Sequence, residues 1–268
     1  MLPRPPEAPP WPLPPNHRPR PDRRSTLVTG GTKGAWAGIT ERFLEAGADV
    51  VVTAQALTSR WRPVGGRRHV RRRRDLDQID DLVAVVTQHG RFDVLVNSTG
   101  GSPNADAATA SPRFRVDHPT EPAGPAQPGP GRQQAIMQAQ DGGGSIINIG
   151  SVSGMRPSPW TAAYGAAKAG LVNLSQSLAI EWAPRVRVNV VTGGYVLTEQ
   201  SHLHYGDEEG LARVAATVPL GKLAQPSDLG DACLFLASPL AAHVTGANLA
   251  VHGGGEIPPF LAAAAGAG

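Results

Sequence analysis

The sequence predicts an α/β fold, a doubly wound parallel sheet of Rossmann type in a single domain. From Ser25 onward, short apolar runs that end in glycine or polar residues alternate with stretches of helical periodicity. Strands that alternate with helices form parallel sheets. A chain of 268 residues is also long enough to bury a core of this kind. Ligands of such sheets bind beyond the carboxyl ends of the strands, where we expect the functional residues.

The elements follow in order along the chain. A helix is expected after the first strand, through Phe43, Leu44 and Ala46. The predicted strands are residues 25–31, 48–54, 92–100, 143–154, 186–194 and 246–255. The other predicted helices are residues 79–90, 162–183 and 226–238. The domain then spans residues 25–258, between a disordered proline-rich tail at 1–24 and a flexible tail at 259–268.

Two segments break the alternation. Residues 57–74 occupy the place of the third strand, yet they read as arginine-rich coil. Residues 112–131 occupy the place of a long helix, yet they contain six prolines: Pro112, Pro119, Pro122, Pro125, Pro128 and Pro130. An interior proline costs a helix about 3 kcal/mol, so no helix is expected there.

Composition limits the classes of partner. The net charge is +3, but the excess of arginine lies in the N-terminal tail and in residues 60–74, without interleaved aromatic residues. We therefore expect no nucleic-acid partner, with binding through Arg71–Arg74 as the alternative. The single cysteine fits a reducing compartment, and no segment has the length of a membrane span. These features predict a cytoplasmic protein that does not bind membranes.

No metal site is predicted. His202 and His204 are two positions apart, a poor spacing for one helical face, and no cysteine or carboxylate cluster accompanies them. We expect both to be loop residues that, with Tyr205, line a substrate pocket.

A glycine-rich turn, TGGTKGAW, joins the first strand to the first helix at residues 29–36. Glycines at this place let the backbone approach a pyrophosphate, and the helix N-terminus supplies amide donors. The motif therefore indicates dinucleotide binding.

A second constellation carries acid–base chemistry. Tyr164 and Lys168 are four positions apart and share one face of a helix, and Ser151 follows a strand. A neighbouring ammonium favours the phenolate form of tyrosine, whose pKa is ordinarily about 10. A serine hydroxyl can hydrogen-bond a carbonyl on which charge develops.

Together these motifs resemble the classical short-chain dehydrogenase/reductase family from about Ser25 to Glu256. NSTG at 97–100 resembles the family's NNAG turn, and VNVVTGG at 188–194 its VNxVxPG element. The resemblance also covers the last helix and strand, PSDLGDACLFLAS and VTGANLAVHGGG.

The resemblance implies an NAD(P)-dependent oxidoreductase that interconverts a ketone and a secondary alcohol of a small-molecule substrate. Tyr164 would be the general acid/base, Ser151 would orient the carbonyl, and Lys168 would hold the ribose and lower the pKa of the tyrosine. The implied cofactor-binding residues are Thr29, Gly30, Thr32, Lys33, Gly34, Asp75, Asn97, Gly100, Tyr164, Lys168 and Thr198. Lys33, with no acidic residue at 53–55, favours NADP over NAD.

Several residues depart from the family pattern. Trp36 stands at the third glycine of the turn, where an indole is expected to displace the turn or block part of the cofactor site. Trp160 also replaces a glycine, Gly193 a proline, and Ser98 with Thr99 a small pair. The proline-rich segment replaces the helix that carries the family's catalytic asparagine and commonly its dimer interface. A homo-oligomer is therefore in doubt, and a catalytically impaired scaffold is the alternative function.

Overall fold

The structure is a computed structural model that describes residues 24–54, 68–72, 90–98 and 130–265. Within these residues the strands form one seven-stranded parallel sheet in the order β3-β2-β1-β4-β5-β6-β7. The strands are β1 (Ser25–Thr29), β2 (Asp49–Ala54), β3 (Arg68–Arg72), β4 (Val94–Asn97), β5 (Gly144–Ser151), β6 (Val186–Gly193) and β7 (Asn248–Val251). The predicted α/β class with a doubly wound parallel sheet is confirmed.

Helices follow most of these strands. They are α1 (Gly34–Glu45), α2 (Pro130–Ala139), α3 (Ala162–Glu181), α4 (Ser201–Tyr205), α5 (Glu208–Ala216), α6 (Pro226–Ala237) and α7 (Pro259–Ala265). Two short 3₁₀ turns lie at Val152–Gly154 and Pro239–Ala241. None of the helices in the described part of the chain has the length and apolar character needed to cross a membrane.

The register of the sheet sets the position of the functional residues. Thr29 pairs with Asn97, and Asn97 pairs with Asn148, so β1, β4 and β5 are aligned at this level. The strand β5 continues for three more residues along β6, as far as the pair Ser151 and Gly193. The last residue of β5 therefore lies at the carboxyl edge of the sheet.

Apolar side chains are buried on both faces of the sheet. One cluster packs the sheet against α1 and α6 and includes Phe43, Ile149 and Leu229. The other includes Phe92, Met137 and Val188. Each fully buried side chain of this size contributes about 1.5–3 kcal/mol. Cys233, on α6, is also completely buried in the first cluster.

The close contact between α1 and α6 depends on a glycine. A Cβ atom on Gly38 would lie 2.3 Å from Cβ of Pro226, the first residue of α6. No larger residue fits there, so the two helices approach at this point. This contact fixes α1, and therefore the turn that precedes it, against the rest of the sheet.

The expectations for the two irregular segments are partly wrong. Residues 68–72 form a strand rather than the expected coil, paired in parallel with β2 from Val50 and Arg68 to Ala54 and Arg72. Strand pairing uses backbone groups, and an edge strand tolerates charged residues well. Pro130 begins α2 although no helix was expected through residue 131. A proline is compatible with the first position of a helix, because that N–H has no intrahelical partner.

Other expectations concern segments of which the structure describes only a part. Residues 112–129, and all but the last residue of the predicted helix at 79–90, lie outside the described residues. At the C-terminus, α7 lies within the segment expected as a tail. The limits of the domain stay predictions.

Candidate active site

Ser151, Tyr164 and Lys168 meet at the carboxyl edge of the sheet. Ser151 ends β5, while Tyr164 lies in the first turn of α3 and Lys168 one turn later. A side-chain hydrogen bond joins Ser151 to Tyr164. The Nζ atom of Lys168 lies 5.7 Å from the centroid of the Tyr164 ring. The structure therefore brings together the three residues that the sequence pattern selected.

Backbone groups form hydrogen bonds with the side chains of Ser151 and Lys168. The Ser151 hydroxyl accepts a hydrogen bond from the backbone N–H of Ser153 at 3.2 Å. The Lys168 ammonium donates to the carbonyl oxygen of Ile149, in β5, at 2.7 Å. β5 and the 3₁₀ turn that follows it therefore each supply a backbone partner that orients one of these side chains.

Burial controls the acid–base properties here. Burial raises the pKa of Tyr164, and its hydrogen bond with Ser151 opposes this shift. Burial lowers the pKa of Lys168 to about 8. The net pKa shift of Tyr164 is therefore upward, with burial as its largest cause; that Lys168 lowers this pKa stays a prediction. At neutral pH the phenol is protonated and able to donate its proton.

A line of polar groups runs behind the reactive residues. The Nδ2 of Asn97 donates to Oδ1 of Asn148 at 2.9 Å, and the Nδ2 of Asn148 donates to the Ser175 hydroxyl at 2.8 Å. Asn148 and Ser175 are buried. Sequence reasoning missed both residues, although a single asparagine in the apolar run of β5 could have signalled a buried polar contact.

The glycine turn, residues 29–34, has the backbone geometry that its composition favours. Gly30 and Gly34 have φ values of 74° and 56°, in the left-handed region that glycine adopts without strain. The N–H of Thr32 donates to the carbonyl of Gly30 at 2.9 Å and tightens the turn. Lys33 is exposed beside it.

The neighbouring strand end supports this turn. The N–H of Ser98 donates to Oγ1 of Thr29 at 3.0 Å, and the Ser98 hydroxyl donates to the Thr29 carbonyl. Ser98 thus fits its buried position through hydrogen bonds. Asp75, Thr99 and Gly100 lie outside the described residues.

The two tryptophans that replace family glycines behave differently. Trp36 lies within α1, half-buried against the core, and the turn and helix form with it in place. The indole packs on apolar neighbours rather than displacing the turn; the other part of the expectation, that it blocks part of the cofactor site, stays a prediction. Trp160 has φ of 65° and is 68% exposed, so its backbone does adopt a conformation that favours glycine.

A segment after β6 extends over the glycine turn. A Cβ atom on Gly34 would lie 3.7 Å from Cγ2 of Thr198. The next residue, Glu199, accepts a hydrogen bond at Oε1 from the backbone N–H of Gly34 at 3.0 Å. Thr198 thus lies beside the glycine turn, its role in cofactor binding stays a prediction, and Glu199 is a contact that the sequence did not reveal.

Polar and aromatic residues also contact one another in the segments that follow β5, β6 and β7. Arg156, in the loop after β5, binds Glu256, and the Tyr195 hydroxyl donates to Glu256 at 2.6 Å. A cavity of about 450 Å³ adjoins them, lined by Tyr195, His204, Tyr205, Gly210, Arg213, Val214 and Thr217. His204 and Tyr205 line this cavity and His202 does not. The expectation that His202 and His204 are loop residues is wrong, because both lie on α4. The described residues contain no group of side chains arranged to hold a metal ion.

Comparisons with known proteins agree with this geometry. A family model described as enoyl-(acyl carrier protein) reductase matches residues 32–256. The chain is 32% identical over 247 residues to an uncharacterized oxidoreductase of Mycobacterium tuberculosis, covering 88% of this chain and 94% of that protein. The chain belongs to the short-chain dehydrogenase/reductase family. Its members are NAD(P)-dependent oxidoreductases, and the chain is an enzyme of this class.

Further relatives extend the comparison. A 3-oxoacyl-[acyl-carrier-protein] reductase of Vibrio harveyi is 31% identical over 238 residues, which covers 85% of this chain and 95% of that protein. A solved structure of a putative NAD(P)-dependent gluconate 5-dehydrogenase from Beutenbergia cavernae, with bound NADP, aligns with a TM-score of 0.72 and 28% identity. That alignment covers 87% of this chain and 96% of the other.

Proposed function

We propose that this short-chain dehydrogenase/reductase interconverts a ketone and a secondary alcohol, with Tyr164 as the general acid/base. The observation that carries the proposal is the hydrogen-bonded pair of Ser151 and Tyr164, with the Lys168 ammonium 5.7 Å from the ring. These groups lie at the carboxyl edge of a parallel sheet, the usual place for a ligand in this architecture.

The residues of the glycine turn fit a dinucleotide. Gly30 and Gly34 leave the backbone open to close approach, and the N-terminus of α1 presents amide donors with the positive end of its dipole. Lys33 adds an exposed positive charge, and Asn97 marks the end of the adjacent strand. A bound nicotinamide cofactor supplies hydride for reduction and takes it up in oxidation.

The chain's own residues then move the proton. In the reductive direction Tyr164 donates its phenolic proton to the carbonyl oxygen of the substrate. Ser151 donates a hydrogen bond to the same oxygen and holds it near the phenol. The Lys168 ammonium stabilises the phenolate that forms and holds the ribose. Because burial raises the pKa of Tyr164, the phenol carries the proton needed for reduction at neutral pH.

We further propose NADP as the preferred cofactor. Lys33 lies beside the turn that would receive the phosphates, and no acidic residue stands at 53–55 to repel an additional phosphate. The Beutenbergia cavernae relative has NADP bound. The same argument leaves NAD as a weaker ligand.

Two measurements test these proposals. Fluorescence titrations with NADPH and with NADH test the cofactor preference, and the Tyr164→Phe variant tests the role of the tyrosine. We expect saturable binding in the micromolar range, tighter for NADPH. Tyr164→Phe removes the proton donor, so carbonyl reduction should fall about a thousandfold while the affinity for NADPH changes little. Substrate screening uses ketones with NADPH, starting from 3-oxoacyl esters and sugar-derived ketones.

Matched results separate the alternatives. Ser177→Ala, on the exposed face of α3, is the control and should retain full activity. Failure of the folded protein to bind either nucleotide at millimolar concentration would favour the impaired scaffold. Binding with equal turnover by Tyr164→Phe and the parent protein would overturn the role of the tyrosine.

A further inference from the structure

The N-terminus of α1 makes one contact that the proposed reaction does not explain. Helix termini leave backbone N–H groups without intrahelical partners, and a side chain at the N-cap commonly satisfies one. The N-cap here is Lys33, whose side chain makes no such hydrogen bond. Instead, the carboxylate of Glu199, which is 165 positions away in sequence, accepts from the N–H of Gly34 at 3.0 Å.

The position of this carboxylate matters because of what the turn would bind. In the proposed function, which this inference deepens, the glycine turn and the N-terminus of α1 receive the pyrophosphate of the cofactor. A carboxylate and a phosphate are both anionic acceptors that bind the same amides and the same positive dipole end. Glu199 and the pyrophosphate therefore cannot both accept from Gly34.

The backbone on either side of Glu199 is well held. Leu197 donates to Ala224 at 2.8 Å and Ala224 donates to Tyr195 at 2.9 Å, which ties the segment to the chain before α6. The N–H of Thr198 donates to the hydroxyl of Ser201 at 2.8 Å, and Ser201 is buried. The segment thus has a fixed course that directs Glu199 toward the turn.

The side chain of Glu199, by contrast, is free to leave. Glu199 is exposed, and no salt bridge holds its carboxylate among the described residues. A rotation of the side chain into solvent would release Gly34 without any change in the backbone at Thr198. Displacement would therefore cost little more than the hydrogen bond and the dipole interaction.

We propose that Glu199 is an internal competitor of the cofactor pyrophosphate, which caps α1 until the dinucleotide replaces it. The carboxylate weakens cofactor binding by occupying an amide that the pyrophosphate needs and by repelling its charge. In return it keeps the turn ordered when no dinucleotide is present. Glu199 thereby sets the cofactor affinity without touching the substrate.

The test compares Glu199→Gln with Glu41→Gln in the full chain. Glutamine keeps the size of the side chain but removes the charge. Glu41 is an exposed residue of α1, away from the N-terminus of that helix. Its replacement by glutamine makes the same change in net charge as Glu199→Gln. We expect Glu199→Gln to lower the Kd for NADPH about three- to tenfold, whereas Glu41→Gln changes it less than twofold.

A second variant and a second readout complete the design. Glu199→Ala should tighten NADPH binding at least as much. Without added nucleotide, both Glu199 variants should melt at a lower temperature than Glu41→Gln, because alanine removes the cap and glutamine leaves an uncharged acceptor that interacts more weakly with the helix dipole. Unchanged or weaker NADPH binding by both variants, alongside normal binding by the parent protein, would overturn the proposal and leave the proposed function intact. If the parent protein and all variants fail to bind NADPH, the proposed function itself falls, and this inference with it.

Discussion

The proposed catalytic edge (Ser151, Tyr164 and Lys168, called the catalytic edge below) and the glycine turn (residues 29–34) satisfy their polar groups in different ways. At the catalytic edge the partners come from adjoining elements: Lys168 donates to Ile149 in β5, and Ser151 accepts from Ser153. At the glycine turn, the first amide of α1 has its hydrogen-bond partner on a distant loop, in the exposed Glu199.

This difference separates two requirements of an oxidoreductase. Proton transfer needs side chains held in one geometry, and neighbouring backbone groups provide that order before any ligand binds. Cofactor exchange needs a site whose groups can change partners at low cost, and an exposed carboxylate meets that need. Under the two proposals, the catalytic edge keeps one geometry, whereas the glycine turn exchanges one anion for another.

The largest expected effect concerns the charge on Lys168. If the catalytic edge depends on the ammonium, kcat/KM for carbonyl reduction should fall as the pH rises through about 8, where Lys168 loses its proton. The decline should approach about tenfold per pH unit. The pKa of Tyr164 is raised, so its own deprotonation follows at higher pH. Rates at constant ionic strength from pH 6 to pH 10 measure this profile.

Whereas the rate should fall as the pH rises above about 8, the contribution of Lys168 to the stability of the fold should increase. The pKa of Lys168 is lower in the folded chain, about 8, than its ordinary value of 10.5. Between these values the unfolded chain binds more protons, so the contribution of Lys168 to the free energy of unfolding rises with pH.

For the rate profile, Lys168→Arg is the matched variant, since a guanidinium keeps its charge throughout this pH range. A decline of the same shape in Lys168→Arg would show that another group controls the rate.

The next effect tests the glycine turn. Restoring the family glycine by Trp36→Gly should destabilise the protein by about 2 kcal/mol. The change removes a half-buried indole from the core and places an additional glycine in α1. The affinity for NADPH should change less than threefold, because the turn already forms with the indole in place. Chemical denaturation and nucleotide titration measure the two quantities. Much tighter nucleotide binding by Trp36→Gly would show that the indole obstructs the site.

The smallest expected effect is that of Trp160→Gly, which should stabilise the protein, whereas Trp36→Gly should destabilise it. Trp160→Gly relieves a backbone with φ of 65° and removes an indole that is mostly exposed, so we expect stabilisation by about 1 kcal/mol. Trp160→Ala is the control, since alanine bears a Cβ and keeps the strain. The same denaturation experiment compares both variants with the parent protein. An equal gain for alanine and glycine would mean that the indole, rather than the backbone, is the source of the cost.

Much of the fold could be predicted because it is encoded locally. The strands β1, β4, β5 and β6 are apolar runs that end in glycine or polar residues, and α3 and α6 are continuous helical patterns. The catalytic edge was also predictable, since Tyr164 and Lys168 are one turn apart on α3. In each case the decisive information lies within a few neighbouring residues.

The remaining features depend on contacts distant in sequence. The edge strand β3 gains its hydrogen bonds from β2, which the composition of its arginines does not reveal. The contact between Glu199 and Gly34 arises only when the segment after β6 lies over the turn. The direction of the pKa shift of Tyr164 depends on how deeply the phenol is buried, and spacing along a helix does not specify that depth.

Cys233 gives this molecule a built-in reporter. It is the single cysteine of the chain, and it is completely buried where α6 packs on the sheet. Burial raises the pKa of its thiol, so the reactive thiolate is scarce while the core is closed. Alkylation at this one sulfur therefore proceeds only through opening of the core. Its rate, followed by mass spectrometry, would report the fraction of molecules in which α6 is separated from the sheet. Nucleotide that binds only the closed form should slow it by a factor of one plus the ratio of the free nucleotide concentration to Kd.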